Sequence, residues 1–214
     1  MKPHASLNRL AILALVLMAC VNFVSQAQAN DYRVIENRIV VDTSPEIAWE
    51  ILADFTGVSE FHALFDESTL LRGEGGLVRL GSERETHIPD GMNNVILRER
   101  ITHLKEGSFY SYKVFEWENI PLDAMQVTYG VGVNEAGQTE IYNRTVYRLR
   151  SGVVTGMARN KFEKGSRDSL ISYKYYIETG QDETDLKKLR KWYKKRLKST
   201  SDGDLLASND GRNQ

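Results

Sequence analysis

A single cysteine, Cys20, stands in 214 residues, and it falls in a segment that the chain is expected to lose. Lys2 and Arg9 precede an apolar run from Leu10 to Val24, and Ala27-Gln28-Ala29 supplies a small-residue cleavage pattern. The run is too short, and too soon interrupted by Ser25 and Gln26, for a spanning helix of about 20 apolar residues. Residues 1–29 therefore read as a secretory signal peptide, with a mature chain that starts near Asn30 and works in the periplasm or outside the cell. A lipoprotein signal at Leu17-Met18-Ala19-Cys20, anchoring the chain through Cys20, is the alternative. The residues after Cys20 stay apolar, and the Ala-x-Ala site fits better. Without Cys20 the exported protein has no thiol, which excludes a disulfide scaffold, a thiol nucleophile and a thiolate metal site. Its stability has to come from a hydrophobic core.

Catalytic signatures are equally scarce. The sequence contains no His-Glu-x-x-His and no Gly-x-Ser-x-Gly. Gly73-Glu-Gly-Gly76 lacks the Lys and the spacing of a phosphate-cradling loop and reads as a turn. Of the three histidines left after cleavage, alternation puts His87 and His103 on opposite faces of a hairpin, and His62 falls in a short helix near the expected mouth, as a surface or partly packed residue and not a base. No metal site and no cofactor is expected. Asn143-Arg-Thr145 matches a glycosylation sequon but lies inside an expected strand.

What is present is a change of hydrophobic period along the chain. Val34 to Val41 alternates as a strand. Ser44 can cap a helix with Pro45 in its first turn, and Ile47, Ala48, Ile51, Leu52 and Phe55 share one face. A short helical piece follows from Val58 to Phe65. From Ser68 to Arg150 five or six antiparallel strands are separated by turn residues, with the tightest hairpin at Pro89-Asp90-Gly91. After Gly152 a helical stripe runs through Val154, Ala158, Phe162, Ser169, Tyr173 and Ile177. This order predicts an α+β domain over residues 30–180, a curved antiparallel sheet wrapped around a long C-terminal helix.

The stretch from Ile39 to Phe55, with its strand, Ser44-Pro45 start, Trp49 and closing Asp54-Phe55, resembles the opening of START-like (SRPBCC) domains. Leu97-Arg-Glu-Arg-Ile101, Tyr147-Arg-Leu-Arg150 and Tyr173 to Thr179 are similar to the polyketide cyclase/dehydrase and lipid-transport branch. The resemblance spans roughly Tyr32 to Gly180 and implies a helix-grip fold with an apolar cavity between sheet and helix. Such families hold carriers, cyclases and hydratases on one fold, so the chemistry has to be argued from the site.

Alternation places Val78, Leu80, Ser82, Arg84, Thr86 and Ile88 inward on one strand, and Val95, Leu97, Glu99, Ile101 and His103 inward on the next. Arg84 and Glu99 then meet on one face, either as the polar end of an apolar pocket or as an ion pair that pins the strand register. Tyr129 and Asn143 are placed to hydrogen bond a ligand, and Phe162, Ser169 and Tyr173 line the helix side, where Gly165 and Ser166 leave room. Glu99, His103 and Tyr129 are the candidates for acid–base chemistry.

The tail departs in charge from the body. Lys187 to Lys198 holds eight basic residues and no acidic one, whereas loss of Lys2 and Arg9 takes the formal net charge of the whole from −1 to about −3. Leu186, Leu189, Tyr193 and Leu197 share a helical face with Trp192 at its edge. Residues 181–214 are therefore expected to form a basic amphipathic helix and a polar, disordered end. Leu189, Trp192, Tyr193, Lys194 and Arg196 would contact an anionic membrane, unless the apolar face packs on the domain instead. Nucleic acid is not an expected partner of an exported protein. The function expected is an exported carrier of a hydrophobic small molecule or lipid, the alternatives being a cyclase/dehydratase-like enzyme and an interaction module with a filled core.

Overall fold

The computed structural model describes residues 32–91, 93–150 and 155–199. The expected signal peptide, Val154 and the polar end after Ser199 lie outside the described residues. Strand β1 (Arg33–Val40) leads into α1 (Pro45–Leu52) and α2 (Val58–Phe61). Six strands follow in sequence order: β2 (Glu67–Arg72), β3 (Glu83–Asp90), β4 (Asn93–Lys105), β5 (Phe109–Glu118), β6 (Leu122–Val133) and β7 (Thr139–Leu149). Two helices end the fold, α3 (Thr155–Thr179) and α4 (Leu186–Ser199). The sheet order is β1-β7-β6-β5-β4-β3-β2, antiparallel throughout. The six-strand meander is thus completed by β1, which returns to the β7 edge, and the sheet wraps α3 as the expected grip does. Among the described residues no helix is long and apolar enough to cross a membrane.

Local sequence sets the corners. Ser44 caps α1 by accepting the Ile47 amide at 3.4 Å, and Pro45 occupies the first turn, where its missing N–H costs nothing. The buried face of α1 is Ala48, Trp49 and Leu52, rotated from the expected one, and Ile47 is half exposed. Asp90 pairs with Asn93 where β3 passes into β4, and Gly91 after it adopts φ +71°, a conformation costly for any side chain. β3 starts at Glu83, later than expected, because Leu80 and Gly81 form a turn; Leu80 is 69% exposed and does not face inward.

One face of the sheet is apolar and the other is charged. Arg98 meets Glu85, Glu116 and Glu118, Arg100 meets Glu83, and Arg38 meets Glu36 and Glu140. These outward ladders keep long side chains in water while the alternate residues are buried. Two irregularities interrupt the β4–β5 ladder, and the one between Ile101 and His103 makes Thr102 an extra residue. Such a bulge reverses the parity of everything beyond it. His103 is consequently exposed, with its Nδ1 3.1 Å from the neighbouring Thr102 hydroxyl, and the expectation of an inward His103 is overturned.

α4 packs against α3. Arg190 pairs with Asp168, Trp192 meets Tyr175 edge-on at 5.0 Å, and Arg196 reaches Glu178 at 3.0 Å. These contacts advance together along both helices, so residues 180–185 double back and α4 runs in the same direction as α3. Asp185 caps its start by accepting the Lys187 amide at 2.8 Å. Leu189 and Tyr193 are buried in the core, with Leu186, Trp192 and Leu197 partly so. The apolar stripe expected to meet a membrane is therefore spent inside the protein. Leu189→Ala is expected to cost about 2–4 kcal/mol in urea unfolding, as at a packed core site; a loss below ~0.5 kcal/mol would mean that α4 does not belong to the folded unit.

Candidate functional site

β3 and β4 bring Arg84 directly opposite Glu99, on the concave face under α3. The Arg84 Nε donates to Glu99 Oε2 at 2.6 Å, and both side chains are almost wholly removed from water. A second guanidinium N–H donates to the Phe55 carbonyl, and the planar cation lies 4.2 Å from the centre of the Phe55 ring. Arg84 thus fixes the loop after α1 onto the sheet. Burial opposes its charge, but Glu99, with Tyr112, Tyr110 and Tyr173, together outweighs it, and the guanidinium is held above its ordinary range. Burial pushes the Glu99 carboxyl up and Arg84 pulls it back. The Tyr112 and Thr86 hydroxyls beside Glu99 favour its charged form, yet its Oε1 meets no donor in hydrogen-bonding geometry among the described residues.

Around this pair stands a wall of tyrosines. Tyr110, Tyr112 and Tyr129 lie nearly parallel with centroids 5.9–6.4 Å apart, and Tyr173 from α3 approaches Tyr129 at 5.6 Å. Burial raises the pKa of all four phenols, so they serve as neutral hydrogen-bonding groups and not as acids near pH 7. His62 is also fully buried, between Phe65 and Tyr173. The surface position expected for it is wrong because α2 turns its C-terminal end under α3. Its Nδ1 accepts the Leu64 amide at 3.2 Å, which leaves the proton on Nε2, and Nε2 donates to the Ser169 hydroxyl at 3.0 Å. Ser169 in turn lies 2.7 Å from the Tyr129 hydroxyl. Burial, with Arg84 nearby, lowers His62 to about 3. A histidine that donates to a serine and resists protonation cannot activate that serine as a nucleophile.

Further along α3, Asn143 donates to the Ser166 carbonyl at 2.7 Å and accepts from Asn37 at 3.1 Å. The Ser166 hydroxyl completes the cluster at 2.9 Å from both asparagines. These bonds tie β1 and β7 to the middle of α3. Beyond them Phe162 stacks on Tyr147 at 4.6 Å. Ile88, Trp117, Met125 and Leu149 share the inward parity of Thr86, Leu97, Val114 and Leu122, but are only partly buried. At Gly165 an added Cβ would meet no atom within 4 Å. The interior thus grades from a closed, polar region at Arg84 to a looser apolar end beside the first half of α3, where Lys161 bridges to Asp90 at 2.7 Å.

Of the residues expected at the site, Arg84, Glu99, Tyr129, Asn143, Ser169 and Tyr173 converge inside the grip, and Phe162 lies at its looser end. His103 does not join them. Sequence reading missed Tyr110 and Tyr112, whose two-residue spacing with Val114 was the available signal, and Asn37 and His62, which carried none. Of the residues expected at a membrane, Leu189 and Tyr193 are buried, Trp192 packs on Tyr175, Arg196 is engaged with Glu178, and Lys194 is exposed.

Two outcomes follow from the buried charges. Arg84→Met strands Glu99 and is expected to cost about 3–5 kcal/mol, whereas Arg84→Met with Glu99→Leu recovers much of the loss in denaturant titrations. A pair whose double variant is as unstable as the single would have to act through something other than stranded charge. His62 is neutral in the fold with a pKa of about 3 against 6.5 in an unfolded chain. Its contribution is complete above pH 6.5 and is lost progressively as the pH falls from there towards 3. Unfolding curves from pH 7 to 5 should show about 2 kcal/mol of loss from this group, and His62→Asn should flatten that slope.

The sequence profile of the family described as polyketide cyclase / dehydrase and lipid transport matches residues 33–178. No curated protein matches the chain significantly. Among solved structures, a START superfamily protein from Mycobacterium smegmatis has a TM-score of 0.59 at 9% identity, covering 70% of this chain and 99% of its own. The Zhui aromatase/cyclase from a Streptomyces species has a TM-score of 0.54 at 15% identity, over 71% and 99% of the two chains. A major latex-like protein from Panax ginseng has a TM-score of 0.51 at 15% identity, over 64% and 94%. At such identities the likeness is one of fold, and it is the helix-grip fold expected above. The profile match spans the sheet and α3 together, and the chain belongs to the polyketide cyclase/dehydrase and lipid-transport family, whose START-like fold is known for binding hydrophobic ligands.

Proposed function

We propose that this protein is an exported carrier of a hydrophobic small molecule or lipid, held between the concave sheet and α3. The observation that carries the reading is the graded interior. Ile88, Trp117, Met125 and Leu149 on the inward sheet face and Phe162 on α3 are only partly buried, and an added Cβ at Gly165 would meet no atom within 4 Å, while Arg84, Glu99, His62 and the tyrosines are closed off from water. Apolar walls with a few placed polar groups suit a ligand whose bulk is hydrophobic and whose tip is polar. Export rests on the N-terminal pattern, with Lys2, Arg9, the apolar run and Ala27-Gln28-Ala29.

A cyclase- or dehydratase-like reaction is the second reading, favoured by the unpartnered Oε1 of Glu99, a buried carboxyl held above its ordinary range. The two differ in what Glu99 is for. Glu99→Gln in a carrier alters uptake, whereas in an enzyme it removes turnover and leaves uptake intact.

Solvent extraction of natively purified protein, followed by mass spectrometry, should return a hydrophobic compound near one equivalent. Gly165→Leu separates cavity from helix. It improves the helix by up to ~1 kcal/mol and should lower uptake of the extracted compound by about tenfold or more, for roughly 1.4 kcal/mol of lost binding. An empty protein that takes up no apolar probe would point to a filled core with an interaction role.

A further inference from the structure

The structure divides the basic residues of α4 by type. Its two arginines, Arg190 and Arg196, turn towards α3 and meet Asp168 and Glu178, two carboxylates almost wholly excluded from water. Lys187, Lys191, Lys194 and Lys195 are exposed, and none has a carboxylate within ion-pair distance among the described residues. Lys188 on the same helix, also exposed, meets Glu183 at 3.4 Å. The arginines are anchors and the lysines are display. Since Leu189 and Tyr193 are buried and Trp192 lies against Tyr175, the helix is held rigidly while its outer face carries cationic charge and no acidic residue.

We propose that this lysine face is an electrostatic docking surface for anionic phospholipid headgroups, binding at headgroup level without inserting. Three observations select that partner. Lysine is a compact, hydrated charge on a flexible stem, suited to a fluid array of phosphates, whereas two-pronged recognition of a fixed phosphate calls for arginine, and here those arginines are occupied. Single-stranded nucleic acid is held by stacking bases on aromatic rings, and the aromatic residues of α4 are turned inward. The apolar stripe that would carry an amphipathic helix into the acyl region is covered by α3, so attraction must come from charge alone. The inference does not depend on what the interior binds.

The test is sedimentation of the full chain with phosphatidylcholine vesicles and with mixed phosphatidylcholine–phosphatidylglycerol vesicles, beside a variant carrying Lys187→Gln, Lys191→Gln, Lys194→Gln and Lys195→Gln. Any contribution from the N-terminal apolar run is common to both proteins and to both lipids. Expected is a preference for the anionic vesicles that falls at least about tenfold in the variant, and that disappears as salt approaches ~0.5 M, where the Debye length is only a few ångströms. An unchanged thermal midpoint establishes that the variant is folded. Equal anionic preference in both proteins would overturn the proposal. So would comparable lysine-dependent affinity for a DNA duplex at the same salt, which would make the face a general polyanion site. A blue shift of tryptophan emission on vesicles that Trp192→Phe removes would overturn the non-inserting geometry, because α4 would then have left α3.

Discussion

One buried ion pair organises the interior of this protein. Arg84 is covered on every side, so its charge is tolerable only while Glu99 and the Phe55 carbonyl receive its N–H groups. That requirement fixes three things together. It sets the register of β3 against β4, the position of the loop leaving α1, and the electrostatic field in which the tyrosines and His62 sit. The neutral state of His62 follows from its burial together with this cation, and its donation to Ser169 follows from the Leu64 amide that occupies its Nδ1.

The consequence for chemistry is a division of labour inside the grip. Among the described residues around Arg84, Glu99 Oε1 is the buried side-chain atom without a hydrogen-bond partner, and the apolar half is incompletely covered. Fold resemblance to proteins of differing activity is compatible with this, because the fold fixes where a cavity lies and the lining residues fix what happens in it.

Much of the architecture was legible in the sequence, and the failures have local causes. The facing of Arg84 and Glu99 could be read because unbroken two-residue alternation flanks the Pro89-Asp90-Gly91 turn on both sides. The same logic failed eight residues past Val95, at His103, because nothing in the sequence marks Thr102 as the extra residue of a bulge. His62 was unreadable for another reason. Burial of a residue at the end of a four-residue helix is decided by what lies above it, here Tyr173 and Ser169 from a segment more than a hundred positions later. The amphipathic character of α4 was plain, but a stripe of leucines and aromatics states that something covers it and not what does. Asp168 and Glu178 are the residues that decide for α3, and their role appears only once the linker is seen to double back.

The return of β1 to β7 has a consequence for how the chain folds. Asn37 and Asn143 face each other across 106 positions of sequence, and every β1 pairing is of similar reach. The meander from β2 to β7 can assemble hairpin by hairpin as the chain is made, but β1 must wait with an unpaired edge until the final strand exists. Closure of the grip is thus a late event, and the first strand to be synthesised is among the last to find its place.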